Sequence, residues 1–163
     1  MPDPLGPPSD DLSATEAERQ ALREAIRRAR ERADRGEAGY VAAVLSGDRV
    51  IAMRANEVGE AQDPSRHAEI VAIAAAAQAL GRMDLSGATL VSTLQPCEMC
   101  LAAMRWAGIG RVVFAARQEM VHPKYFRFGG LHMADYQAAG AGFVAVGGVL
   151  EEEAIDLYAD GRV

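Results

Sequence analysis

The chain has 163 residues, half of them apolar and a quarter charged, with a formal net charge of −6. That length suits a single domain able to bury a real core, and the balance of residues is that of a soluble globular protein. No apolar run is long enough to span a bilayer, the acidic start is no signal peptide, and the negative charge argues against a long nucleic acid as partner.

The cytoplasm is therefore the expected compartment, where the chain's two cysteines point to a metal or redox site rather than a structural disulfide. Residues 1–12, rich in Pro and Asp, read as a disordered tail ahead of one domain over 13–163. Ser13-x-x-Glu16 and Thr15-x-x-Glu18 are overlapping capping boxes. From Ala14 to Ala33 alanines, Leu22 and Ile26 recur at helical spacing, so a helix with one apolar face should reach about Arg35. Its basic residues alternate with acids, as in Glu24–Arg28 and Glu31–Arg35, which suggests a solvated face laced by ion pairs rather than a phosphate-binding strip.

Tyr40–Leu45 and Arg49–Met53, joined by Ser46-Gly47-Asp48, read as a hairpin. A polar loop from Glu57 to Ser65 then leads to His67. Ile70–Leu80 is apolar almost all round, which predicts a helix buried on most sides against a sheet and a subunit partner. Ala88–Leu94 reads as a central strand, Cys97–Ala107 as a helix and Arg111–Ala116 as the next strand. An irregular aromatic and basic segment from Arg117 to Gly130 precedes a short helix over Met133–Ala139, a strand over Phe143–Val146 and a last helix over Glu151–Tyr158. The order β-β-α-β-α-β predicts a three-layer α/β/α sandwich on a mixed, roughly five-stranded sheet.

Chemistry concentrates in two short stretches. Cys97 and Cys100 stand three apart after Pro96, and His67 and Glu69 stand two apart at the start of the earlier helix. Two thiolates and an imidazole form a three-donor zinc set that leaves one position open for water. The start of a helix favours thiolate over thiol through its dipole and free N–H groups. Glu69 can then carry protons without being a ligand. Both helix starts follow strands, which places the site at a sheet edge, where α/β proteins form crevices.

These residues compose the His-x-Glu…Pro-Cys-x-x-Cys signature of zinc nucleobase deaminases. With Asn56, Asp63–Glu69, Thr93–Cys100 and Ile109–Phe114, the sequence resembles the cytidine deaminase-like superfamily, nearest to the branch of guanine deaminase and tRNA-specific adenosine deaminase. The resemblance is good over about 38–118 and weak at the ends. It implies that His67, Cys97 and Cys100 hold one Zn²⁺ per chain, that Glu69 shuttles protons, and that Asn56 hydrogen-bonds a base. It further implies hydrolytic release of ammonia through a zinc-bound hydroxide, a homodimer, and pockets completed near the C-terminus, with Tyr158 as one candidate. Trp106 resembles a tryptophan of guanine deaminase-like relatives, although core packing accounts equally for a tryptophan on a helix.

His122, Tyr125 and Phe126 are candidates to line the pocket and stack on a flat ring, the plainer readings being an exposed loop and a hydrophobic plug. Gln95 replaces the glutamate more common before Pro-Cys, Glu98 suits a first-turn dipole position, and Met99 and Met104 read as core. The reading is a deaminase of a free nucleobase or nucleoside, resembling guanine, cytosine or adenine. The acidic final helix argues against the alternative, a tRNA wobble-adenosine deaminase. A thioredoxin-like Cys-x-x-Cys redox protein would leave His67 and Glu69 without a role, and a structural zinc site would need His122 or His132 as a fourth ligand.

Overall fold

The computed structural model describes residues 13–140 and 142–163; the tail read over 1–12 lies outside the described residues. Helix α1, Glu16–Asp34, starts at the second of the two capping boxes. The backbone N–H of Glu18 donates to Thr15 Oγ1 at 3.1 Å, and the Thr15 N–H donates to Glu18 Oε2 at 2.8 Å. Ala21, Leu22, Ala25, Ile26 and Ala29 are buried, as the apolar spacing requires. On the wet face Glu24 meets Arg28 at 2.8 Å. The expected Glu31–Arg35 pair does not form, because Glu31 takes Arg27 and Arg35 turns to Glu37 beyond the helix end.

Strands β1 (Val41–Ser46) and β2 (Arg49–Ala55) form the expected hairpin around Gly47, which adopts φ +57°. The chain then makes one short helix, α2 (Val58–Ala61), inside the stretch read as loop, and continues into α3 (Ala68–Leu80). Gly81, at φ +64°, ends α3 in the left-handed conformation that a residue without Cβ adopts cheaply. Strand β3 (Thr89–Leu94), helix α4 (Glu98–Trp106) and strand β4 (Arg111–Ala116) follow. After two 3₁₀ turns, α5 (Met133–Ala139), β5 (Val144–Val146) and α6 (Glu151–Tyr158) complete the described chain.

The strand order is β2-β1-β3-β4-β5. β1 is antiparallel to both neighbours, whereas β3, β4 and β5 are parallel. It follows that β2 runs with β3, so the ends of β2 and β3 and the start of β1 share one edge. One face of the sheet packs Leu22 and Ile26 of α1 and Leu157 and Tyr158 of α6. The other packs Ala68, Ala72 and Ala76 of α3 and Leu101 and Met104 of α4. This is the three-layer α/β/α sandwich. No described helix is long and apolar enough to cross a membrane.

Burial of α3 is more one-sided than its composition suggests. Val71, Ala72 and Ala76 are buried, but Ile73, Ala74, Ala75 and Ala77 are half-buried. Alanine does not discriminate the faces of a helix, so an Ala-rich run reads as apolar all round wherever it sits.

The box residue Glu18 does more than cap. The Arg111 guanidinium at the start of β4 donates to it twice, from Nε at 2.8 Å and Nη2 at 2.9 Å, with both side chains almost fully buried. Burial pushes the Glu18 carboxyl up, but hydrogen bonds from Arg111 and Thr15 outweigh it and hold it below its ordinary 4.5. The pair's contribution is therefore complete above about pH 4.5 and fades as the pH falls through the lower folded value. Glu18→Ala removes half of the capping box and both of these hydrogen bonds to a buried guanidinium, which should cost about 3–5 kcal/mol in a urea titration at pH 7. The deficit should shrink at acid pH as the native protein loses the same interaction.

Candidate metal centre

His67 and Cys97 hold equivalent positions: each is the N-cap of its helix, in extended conformation, and neither makes a side-chain capping bond. Asn, Asp and Ser normally fill that position and satisfy a helix N–H. Here the two side chains face each other instead. His67 Nδ1 lies 3.5 Å from Cys97 Sγ and 3.6 Å from Cys100 Sγ. All three donor atoms lie within 4.8 Å of one another.

These distances test the fit of zinc. A tetrahedral ion with bonds of about 2.3 Å to sulfur and 2.0–2.1 Å to nitrogen separates S and N by about 3.5 Å. The donors already stand at that spacing, and two sulfurs with one imidazole are a chemically apt set for Zn²⁺. Among the described residues His122 and His132 lie outside this group, so no histidine closes it as a fourth ligand. Both cysteines are free thiols.

Glu69 is buried in the first turn of α3, its Oε1 accepting from Ser92 Oγ at 2.9 Å. Its Oε2 lies 3.4 Å from Cys100 Sγ, beside the donor set. Burial, followed by the neighbouring Cys97 charge, pushes the Glu69 carboxyl above its ordinary range. A hydrogen bond from Cys100 and then the His67 partner hold the Cys97 thiol down at about 4. The same bond, with burial and the Glu69 charge, pushes Cys100 up. His67 is raised by its bond to Cys97. The centre thus crowds acidic groups that oppose one another's ionisation, a conflict that a bound dication would relieve.

A cavity of about 570 Å³ opens over the centre. His67, Glu69, Cys97 and Asn56 line it together. Asn56 is buried at the end of β2, and its Oδ1 accepts from the Val58 N–H at 3.0 Å, which leaves the Nδ2 donor for the cavity. Tyr125 also lines the wall.

Four sequence candidates fall elsewhere. Trp106 is 91% exposed at the far end of α4, away from both the cavity and the core. His122 lies off the cavity wall, exposed and packed against Gly161, with its Nδ1 accepting from the Lys124 N–H. Phe126 is buried and its ring takes no part in the wall, so of the aromatic segment only Tyr125 reaches the pocket. Tyr158 is fully buried, its hydroxyl donating to Gly39 O and accepting from the Thr93 hydroxyl, which is the packing role. Gln95 clamps Gln118, accepting from its N–H at 3.0 Å, and lies off the cavity wall.

Other wall residues carry no sequence signal. Tyr40, Glu98, Met99, Lys124, Arg127 and Val163 all line the cavity, Met99 having been read as core. The Tyr40 and Tyr125 hydroxyls both donate to Val163 O, at 2.8 and 3.1 Å, which draws the last described residues to the rim. The one available hint was α6, whose apolar face required the chain's end to return to the sheet.

Two crossover helices that start side by side on one edge of a mixed sheet, and deliver an open His-Cys-Cys set with a buried carboxylate, define a zinc-hydrolase type of centre. Residues 15–116 match the cytidine and deoxycytidylate deaminase zinc-binding region, and the chain belongs to that family. It is 41% identical over 128 residues to a tRNA(Ile)-lysidine synthase of Deinococcus radiodurans, a match covering 78% of this chain and 20% of that protein. It is 41% identical over 93 residues to the tRNA-specific adenosine deaminase of Agrobacterium fabrum, covering 57% and 61%. The chain thus spans less than two thirds of the length of these relatives. The solved guanine deaminase of Nitrosomonas europaea superposes with a TM-score of 0.75 at 25% identity, over 90% of this chain and 84% of that one. Both enzymes of the branch implied by the motif are therefore among the relatives.

The N-cap geometry gives a separable test of metal binding and folding. Serine at position 97 is a good N-cap but a poor zinc ligand. Cys97→Ser should reduce bound zinc from about one per chain to under about a tenth, by elemental analysis of dialysed protein. The metal-free variant should melt no lower than the metal-free parent.

Proposed function

We propose that the protein is a zinc-dependent aminohydrolase that removes an amino group, as ammonia, from a small aminated heterocycle, a free nucleobase or a nucleoside. The observation that carries this reading is that Glu69, Asn56 and two of the metal donors, His67 and Cys97, share the wall of one cavity, with the third donor, Cys100, buried beside them. When bound, zinc supplies a Lewis acid that lowers the pKa of water from about 15.7 towards 7.

The chain's own groups account for the rest. The Asn56 Nδ2 donor can hold an acceptor edge of the ring in the cavity. Glu69 is placed to take the proton of the attacking water and pass it to a ring nitrogen. A C–O bond forms at the carbon that bears the amine; Glu69 then takes the proton of the new hydroxyl and delivers it to the amine, and the C–N bond breaks to release ammonia. One carboxylate suffices because it alternates between base and acid. Ser92, through its 2.9 Å bond, fixes the rotamer in which Glu69 faces the donors.

The same reading includes a homodimer. Met83 is 88% and Trp106 91% exposed, and the backbone bond from Leu85 N to Ala107 O brings their segments together. Paired copies would cover such apolar surface.

A second reading, deamination of a tRNA wobble adenosine, is favoured by exposed Lys124 and Arg127 on the cavity wall, which can meet phosphates. Against it, the first turn of α6 carries Glu151, Glu152 and Glu153, and the whole chain is acidic.

Ammonia release from zinc-loaded protein, measured across adenine, guanine, cytosine, their nucleosides, triazines and a tRNA anticodon stem, decides between them. Turnover of a base or nucleoside is expected; turnover confined to the tRNA would reverse the order. Glu69→Gln should retain zinc and lose about 10²–10⁴-fold in kcat with the best substrate. A disulfide reductase active without metal would instead restore the redox reading.

A further inference from the structure

Asn56 is the only asparagine in the chain, and its amide can serve the cavity only while its direction is held. The last torsion of an asparagine side chain is broad, so hydrogen bonds rather than a rotamer preference decide where the amide points. Here the Val58 N–H holds Oδ1 at 3.0 Å. That bond in turn needs the Asn56 peptide and the start of α2 to stay in place. Apolar packing does little to keep them there, because no residue from Glu57 to His67 is buried and α2 has no side-chain cap.

The hold comes from outside the cavity. Arg32 stands in the last turn of α1, its side chain only 16% exposed. Its Nε donates to Ala38 O at 2.8 Å and its Nη2 to Asn56 O at 3.0 Å. One planar guanidinium thereby joins the approach to β1 with the exit from β2. On the other side of the same peptide, the Glu57 N–H donates to Arg66 O at 3.0 Å, so both polar groups of the Asn56–Glu57 peptide are engaged. The helix dipole accounts for a cation in the last turn of α1. It does not account for a fork spent on two carbonyls beyond the helix, a geometry that Arg provides and Lys does not.

Taking Asn56 as the amide that binds the base, on which this step rests, we infer that Arg32 is a positioning residue for substrate binding. By fixing the Asn56 carbonyl it fixes the peptide from which α2 starts, and through the Val58 N–H it keeps Nδ2 turned to the cavity. Glu37 and Glu60 also meet Arg32, each at 3.1 Å, but they are exposed partners and contribute little to the hold. The two carbonyl bonds carry it.

A single asparagine makes the side chain directly observable. Zinc-loaded protein is made with asparagine that carries ¹⁵N in its side chain alone, which gives one NH₂ signal for NMR relaxation. In the parent this amide should be as rigid as ordered backbone, with an order parameter of about 0.85. In Arg32→Met it should fall below about 0.6. Arg32→Lys keeps the charge but cannot hold both carbonyls, so it should loosen the amide too, and it carries the same test if Arg32→Met does not fold. The double variant Glu37→Gln with Glu60→Gln removes both ion pairs, spares the carbonyl bonds and should leave the amide rigid.

A mobile amide in the parent overturns the proposal, whatever the variants do. So does a rigid amide in either folded Arg32 variant, or a loss of rigidity in the double variant equal to that in Arg32→Met. Kinetics give the second readout, with the base or nucleoside that releases ammonia fastest. Arg32→Lys should raise KM about threefold to tenfold with kcat within about twofold, as expected when a bond made equally in ground and transition states is weakened. A fall in kcat at unchanged KM counts against the proposal. If no heterocycle releases ammonia from the parent, the functional reading fails, while the order parameters still decide whether Arg32 positions Asn56.

Discussion

The site depends on the way two helices begin. Because β2 and β3 run in the same direction, the helices that follow them start on one edge of the sheet, and their N-caps come face to face. At most helix starts the cap side chain folds back on a free N–H, worth about 1 kcal/mol. His67 and Cys97 forgo that bond and meet each other. The local cost leaves free helix N–H groups and a positive dipole end beside the thiolates, which favours the ionised sulfurs a metal requires. The backbone direction of two strands thus becomes a property of the metal centre.

Such an arrangement holds only if the scaffold does not relax. Arg111 and Glu18 tie the start of β4 to the first turn of α1. On the same side of the sheet, Tyr158 locks Gly39 and Thr93 together through its hydroxyl. Its ring stacks on Tyr40 at 5.8 Å, and Tyr125 meets both rings edge-on. Tyr40 and Tyr125 thus stand on the cavity wall with their backs against a fully buried ring. The shape of the pocket is set by packing that starts in the last helix of the chain.

That division explains what could be read in the sequence. The donors, Glu69 and Asn56 lie in motifs whose geometry is local: a His-x-Glu or Cys-x-x-Cys in a first turn fixes its own side-chain spacing, and strand order brings the turns together. Capping boxes, glycine stops and apolar periodicity gave the elements for the same reason. The wall of the pocket is different, since Tyr40, Lys124, Arg127 and Val163 meet only after the sheet has formed. Trp106 was legible in hindsight. At about 100° per residue it falls opposite Cys100, Leu101 and Met104, so a helical wheel sends it to solvent.

Glu98 shows the limit most clearly. From sequence it is an acid in a first helical turn, which the helix dipole alone explains. Only tertiary structure shows that the dipole accounts for its position and not for both of its oxygens: one is taken by a loop some thirty residues away and the other is buried without a hydrogen-bond partner. The zinc donors and Glu69 are held by strand direction and cannot drift without losing the centre. The residues that surround them come from loops and from the chain's end, which can change without disturbing it. Relatives named for guanine and for tRNA adenosine share this fold and this family, which is the outcome expected when the reaction is fixed by helix starts and the choice of base is left to what packs against them.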